Sequence, residues 1–293
     1  MRPQWALLGV GTAAAVAACS LTTSFDGLTT GGPVTDGGTP LPESGALPDS
    51  SVLDGTADVA SPDSGASAYR AAVLADSPLA YFRFEETGPV AKDETGAHDG
   101  TYKGTETHAP GALAGAPGDT AAVFDGASWV ELGDVLPFTG NAPFTIEAWV
   151  SPSLTNTDPM CIASKTFAPG GASGSVADGW TFYVEDGTNK VDISRFVSSN
   201  PTGAVAPAIT NNRFTHLVAT YDGTNTALFI DGVRKSTAAS GSALAAVTVP
   251  VTIGTGRGGA YCFFHGALDE VAFYGTALGD ARVAAHYMLG IAK

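Results

Sequence analysis

Residues 213–232, RFTHLVATYDGTNTALFIDG, restrict the chain to a sheet protein more tightly than any other stretch. Phe214, His216, Val218 and Thr220 alternate with Thr215, Leu217, Ala219 and Tyr221. That is a period of two, rich in β-branched and aromatic side chains, as a strand in a packed sheet requires. Asp222-Gly223 then supplies a turn pair that tolerates positive φ, residues 226–230 a second strand, and Asp231-Gly232 a second turn. The same grammar recurs over residues 78–86, 121–124, 128–132, 144–151, 160–165, 180–185, 191–197, 247–253 and 261–274. Gly266 interrupts the last of these, where a bulge or bend is expected. Helical period shows only over 279–289, where Val283, His286 and Tyr287 share a face and Gly290 ends the helix, and as a turn or two over 67–75. Short strands between turn signals, with almost no helix, specify an all-β antiparallel two-sheet sandwich with a short C-terminal helix.

Before this domain the chain changes character twice. Arg2 precedes an apolar run of 13 residues, 6–18, shorter than the roughly 20 a membrane-spanning helix needs. Residues 1–19 therefore read as a targeting segment and are left out of fold reasoning. They end in Val16-Ala17-Ala18-Cys19, which resembles the lipobox of bacterial lipoproteins. The resemblance implies lipidation of Cys19, and Ser20 after it implies the outer membrane of a two-membrane bacterium. Residues 20–66 hold seven acidic residues, no Lys or Arg, and Phe25 as their one aromatic. Such a stretch buries too little apolar surface to offset chain entropy, so a disordered acidic linker is expected. Its like charges and five prolines would keep it extended. The formal net charge of −15 excludes nucleic acid and an anionic membrane surface as partners.

Residues 67–293 resemble a known family. The text His-x-Val-Ala-x-Tyr-Asp-Gly at His216, the strand FTIEAWV at 144–150 and GALDEVAFY at 266–274 occur in the order seen in the concanavalin A-like lectin/glucanase superfamily, with the LamG-like jelly-roll modules of bacterial surface proteins most similar. PLAYFRFEE from Pro78 and VFDG at 123–126 agree. The resemblance implies a jelly roll capped on one side by the final helix. It does not imply one function, because this fold carries enzymes, lectins and spacers alike.

Few residues offer chemistry. Glucanases of this superfamily carry a Glu-x-Asp-x-x-Glu strand, whose period sets nucleophile and acid about 5 Å apart on one face. Glu147 instead has Trp149 and Ser151 at the following alternate positions, while Asp269–Glu270 and Glu85–Glu86 are adjacent and would point to opposite faces. The five histidines have no Gly-x-Ser-x-Gly nucleophile to serve, and CxxC and HExxH are absent. His216 reads as a structural core residue, and the chain as no enzyme. The resemblance implies calcium held by Asp125 and Asp269, with Glu86 and Asp93 as weaker additions; the alternative makes Asp125 a turn former and pairs Asp269 with an amide or a cation. Sugar recognition calls for exposed aromatics flanked by carboxylates, for which Trp180, Tyr183 and Tyr261 with Asp178 are the main candidates, and Trp129 and Asp186 further ones. With Cys19 assigned to lipid, Cys161 and Cys262 remain, as a disulfide or as two buried thiols. The expected role is non-catalytic binding of a glycan or a surface protein at the cell surface. The alternatives are a protein-interaction or spacer module without a sugar site, and an enzyme with an unfamiliar site.

Overall fold

The computed structural model describes residues 64–153, 158–169 and 178–293. Cys19, the targeting segment and all but the end of the expected linker lie outside these residues. Helix α1 (Ser64–Ala75) begins within the last residues assigned to that linker. Ala66, Tyr69 and Val73 recur at helical spacing and are buried, which makes this segment part of the domain.

Among the described residues, sixteen strands and a second helix follow. The first six are β1 (Ala80–Phe82), β2 (Val90–Ala91), β3 (Gly100–Lys103), β4 (Thr107–Pro110), β5 (Thr120–Asp125) and β6 (Trp129–Gly133). Next come β7 (Phe144–Pro152), β8 (Met160–Phe167), β9 (Asp178–Val184), β10 (Lys190–Val197) and β11 (Asn200–Ala208). The last are β12 (Thr215–Tyr221), β13 (Asn225–Ile230), β14 (Val233–Ala239), β15 (Val251–Ile253), β16 (His265–Tyr274) and α2 (Asp280–Gly290). They form two antiparallel sheets. Sheet A runs β14-β13-β12-β7-β16-β5-β4, with β1 also paired to β16; sheet B runs β11-β10-β9-β8-β15-β6-β3-β2. The hairpin of residues 213–232 is β12–β13, with Leu217 opposite Ile230 and Tyr221 opposite Thr226.

Period two sorts every strand between two environments. On β12, Leu217, Ala219 and Tyr221 enter the core between the sheets. Val218 points the other way, into a second apolar layer where Tyr69, Trp149, Tyr274 and Val283 pack sheet A against the helices. Sheet A is thus covered on its outer face. Among the described residues, no helix packs on that of sheet B.

The outer layer of sheet A surrounds a buried carboxylate. Glu147 on β7 is fully buried. It accepts the Tyr69 hydroxyl at 3.0 Å and the Tyr274 hydroxyl at 2.8 Å. His216 Nε2 lies 2.7 Å from Oε1, and His286 Nδ1 lies 3.0 Å from both oxygens. Trp149 Nε1 donates to Tyr69 at 3.0 Å and completes the network. His216 is therefore a core residue, as read from the sequence, and its partner is this carboxylate.

On β16 the bulge falls further along than Gly266. The register with β7 shifts between Asp269 and Ala272, where Glu270 takes a left-handed φ of 51°. The extra residue cancels the alternation, so Asp269 and Glu270 are both fully buried and converge on Asp119 instead of facing apart. Gly266 answers a different demand: at φ 126°, a Cβ there would sit 2.2 Å from the Ser151 carbonyl oxygen.

Candidate functional site

The outer face of sheet B holds an open groove of about 660 Å³. Its floor follows from strand parity. Trp180, Phe182 and Val184 on β9 point into the core, so Thr181 and Tyr183 point out. On β10, Val191 and Ile193 point in, and Asp192, Ser194 and Phe196 point out. Asp192 pairs with Tyr183, and Ser194 with Thr181. Ser164 and Thr166 on β8 extend the hydroxyl-bearing surface. A smaller recess of about 360 Å³, walled by Asp192, Ser194 and Gly203, shares Tyr183, Phe196 and Pro201 with the groove.

One rim is the turn 256–262. Gly256 N–H donates to the Tyr261 carbonyl at 2.8 Å, and Arg257 N–H to the Thr166 hydroxyl at 3.3 Å. The Arg257 guanidinium stacks 4.3 Å over the Tyr261 ring, which is 41% exposed. Beneath the turn, Cys161 and Cys262 form a disulfide with Cα atoms 5.3 Å apart, lining the groove. A Cβ at Gly256 would meet Cys262 Sγ at 2.8 Å and Cys161 Sγ at 3.0 Å, so the turn rests directly on the bridge. Glu185 and Asp186, just past the end of β9, also line the groove.

Several sequence candidates fall elsewhere. Trp180 is fully buried, 5.6 Å from the Phe138 ring and 6.1 Å from that of Phe273. It is a core residue and offers no stacking platform; Trp180 and Tyr183 are three apart on one strand and must face opposite ways. Asp178 starts β9 and accepts the Ser198 N–H at 3.1 Å, outside the groove lining. Tyr183 and Tyr261 do line the groove, as does Asp186. Thr181, Asp192, Ser194, Phe196 and Arg257 are added by the structure; the parity of Tyr183 reaches Thr181 on β9, and the β9–β10 register the next three.

The two expected calcium ligands do not meet. Asp125 is an exposed turn former: Oδ1 accepts Ala127 N–H at 2.9 Å and the Ser128 hydroxyl at 2.8 Å, which hold its carboxyl below the usual range. It lies beside His265 at one end of β16, whereas Asp269 lies at the Trp149 rung. Asp269 accepts the Ala112 and Glu270 N–H groups, each at 2.8 Å. Among the described residues, Asp119, Asp269 and Glu270 form the cluster that could offer oxygens to a metal ion. Burial, reinforced by the neighbouring carboxylates, raises the Asp269 pKa; burial also raises that of Glu270, against the pull of Arg83. Arg83 Nε lies 3.2 Å from Glu270 Oε1, and the Tyr81 hydroxyl donates to Oε2. A protein cation thus already serves this cluster. Asp93, a weaker candidate, is buried, and its carboxylate accepts Tyr81, Thr95, Ala97 and His98 N–H groups at 2.8–3.1 Å. That is a loop staple in structure and chemistry.

Residues 124–284, more than half of the chain, match the family described as the concanavalin A-like lectin/glucanases superfamily. The chain belongs to that superfamily. No curated protein matches it. Among solved structures, this superfamily member is similar to domain 4 of AbnA, a GH43 extracellular arabinanase from Geobacillus stearothermophilus solved in complex with arabinotriose. The likeness has a TM-score of 0.55 at 19% identity, over 72% of this chain and 98% of that one. It is also similar to the botulinum neurotoxin serotype G binding domain, with a TM-score of 0.53 at 12% identity, over 73% and 51% of the two chains. The binding domain of Paraclostridial Mosquitocidal Protein 1 gives a TM-score of 0.55 at 14% identity, over 73% and 52%. The chain thus spans about half the length of those two toxin chains.

In this concanavalin A-like domain the disulfide closes a loop of 101 residues, for which the chain-entropy model gives about 4–5 kcal/mol. Reduction is expected to lower the urea midpoint accordingly. An unchanged midpoint, with both thiols shown free, would contradict that.

Proposed function

We propose that this domain is a non-catalytic glycan-binding module, carried at the bacterial cell surface on a lipidated Cys19, that takes an oligosaccharide along the groove of sheet B. One observation carries the reading. The outward rings of Tyr183 and Phe196 lie among the hydroxyls of Ser164, Thr166, Thr181 and Ser194 in an open groove. A sugar ring has apolar faces and a polar circumference, and such a surface offers a partner to each.

The neighbours support the reading. The arabinanase domain was solved with arabinotriose. A botulinum neurotoxin serotype D ligand binding domain, at TM-score 0.53 and 9% identity, was solved with N-acetylneuraminic acid. A hydrolytic reading has less support. The groove carboxylates are Glu185 and Asp186, adjacent at a strand end, and Asp192, whose Oδ1 accepts the Ser194 hydroxyl at 2.6 Å. This is not the one-face pair that glycoside cleavage uses.

A glycan array probed with the chain lacking residues 1–19, in calcium and again in chelator, tests the proposal. Binding to one glycan class is the expected result. Silence in both conditions from folded protein would contradict it and favour a protein partner or a spacer role.

A further inference from the structure

Asp192 sits oddly on a sugar-binding floor. It points outward from the middle of β10, yet is only 7% exposed. Ser194 donates to it at 2.6 Å, and the Tyr183 hydroxyl is its other polar neighbour. Among the described residues the charged group acting on it is Glu185, and no cation pairs with it. Burial first, and then the Glu185 charge, push its pKa up to about 6 against the Ser194 hydrogen bond. Of the other buried carboxylates described, Glu147 has His286 and Glu270 has Arg83, and Asp93 and Asp269 accept backbone N–H groups, whereas Asp192 has two hydroxyls and neither N–H groups nor a cation. A buried carboxylate without one is costly unless a partner arrives from outside.

The recess that exposes Asp192 suits such a partner. At about 360 Å³ it lies within the range of small-ligand sites, about 300–1,000 Å³. The rings of Tyr183 and Phe196 wall it, and aromatic faces attract cations. Glu185 and Asp186 line the adjoining groove.

We infer, resting on the glycan reading of the groove, that the recess selects amino sugars with a free ammonium group, Asp192 serving as counter-ion between Tyr183 and Phe196. A hydroxyl or acetamido group at that position brings no charge to the carboxylate and leaves it buried and uncompensated.

The test is calorimetric titration of the chain lacking residues 1–19 with glucosamine tetramer and with N-acetylglucosamine tetramer at neutral pH, for the wild type and Asp192→Asn. The wild type is expected to bind the free amine at least tenfold more tightly. Asp192→Asn, checked for an unchanged melting temperature, is expected to bind both tetramers alike. General attraction of a polycation to a chain of net charge −15 would persist in that variant. A preference that persists in Asp192→Asn therefore overturns the inference, as does one abolished by chelator. Equal wild-type affinities, or no binding of either tetramer while the array shows another glycan class bound, overturn the inference alone. Silence toward every glycan overturns the groove reading with it.

Discussion

Glu147→Ala is expected to destabilise the domain by about 3–5 kcal/mol, the range for removing one partner of a buried charged pair. Two tyrosine hydroxyls and two imidazoles converge on this fully buried side chain, from α1, β12, β16 and α2. Removing it leaves all four facing a void and loosens both helices at once. Burial alone would raise the Glu147 pKa. The charge of His286 and the hydrogen bonds from both histidines override that and hold the carboxyl well below its usual range. Burial likewise lowers the His286 pKa, but the adjacent Glu147 charge wins and raises it. These shifts set the pH window. His286 contributes stability that is complete below its ordinary 6.5 and is lost as pH rises through its higher folded value. Glu147 contributes stability present above its ordinary 4.5 and lost as pH falls toward its lower folded value. The raised Asp269 and Glu270 add to the alkaline loss, since the folded state binds protons there that the unfolded chain has released. Because the loss from Asp269 and Glu270 sets in above their ordinary 3.8 and 4.5, the melting temperature is expected to be highest near pH 4.5 and to fall as pH rises. Glu147→Gln should flatten the alkaline limb, and a wild-type maximum above pH 8 would contradict this account.

Trp180→Ala and Tyr183→Ala should give opposite phenotypes three residues apart. Trp180 is fully buried between Phe138 and Phe273, so its loss leaves a large cavity and is expected to cost about 3–5 kcal/mol. Tyr183 faces the groove. Its removal gives up a hydrogen bond to Asp192, worth about 1 kcal/mol. It is expected to weaken glycan binding at least tenfold, about 1.4 kcal/mol. Paired melting curves and titrations decide this. Normal stability of Trp180→Ala, or full affinity of Tyr183→Ala, would contradict the assigned faces.

The same pair shows what was legible beforehand. Alternation of apolar and polar residues placed most strands of both sheets, because a half-buried strand writes its burial in period two. That period also rules out Trp180 and Tyr183 as joint ligands, because residue type alone does not assign a face. The convergence of Asp269 and Glu270 on Asp119 was not readable. It depends on Glu270 adopting a left-handed φ at a bulge, where no glycine marks the spot. Glu147 looked like a lone carboxylate because its partners lie 69 to 139 residues away. The groove was hidden for a related reason. Thr166, Tyr183, Asp192 and Tyr261 come from three strands and a turn, and only strand order and the disulfide bring them together. Asp125 carried a family resemblance, yet its Ser128 and Ala127 contacts show an ordinary turn.

The central claim is that sheet B's outer face is the binding surface, and amide chemical-shift mapping with the strongest glycan from the array tests it most directly. The largest shifts are predicted at Thr181, Tyr183, Asp192, Ser194 and the 256–262 turn. Shifts confined to α2 and the outer face of sheet A, with the groove silent, would contradict the claim.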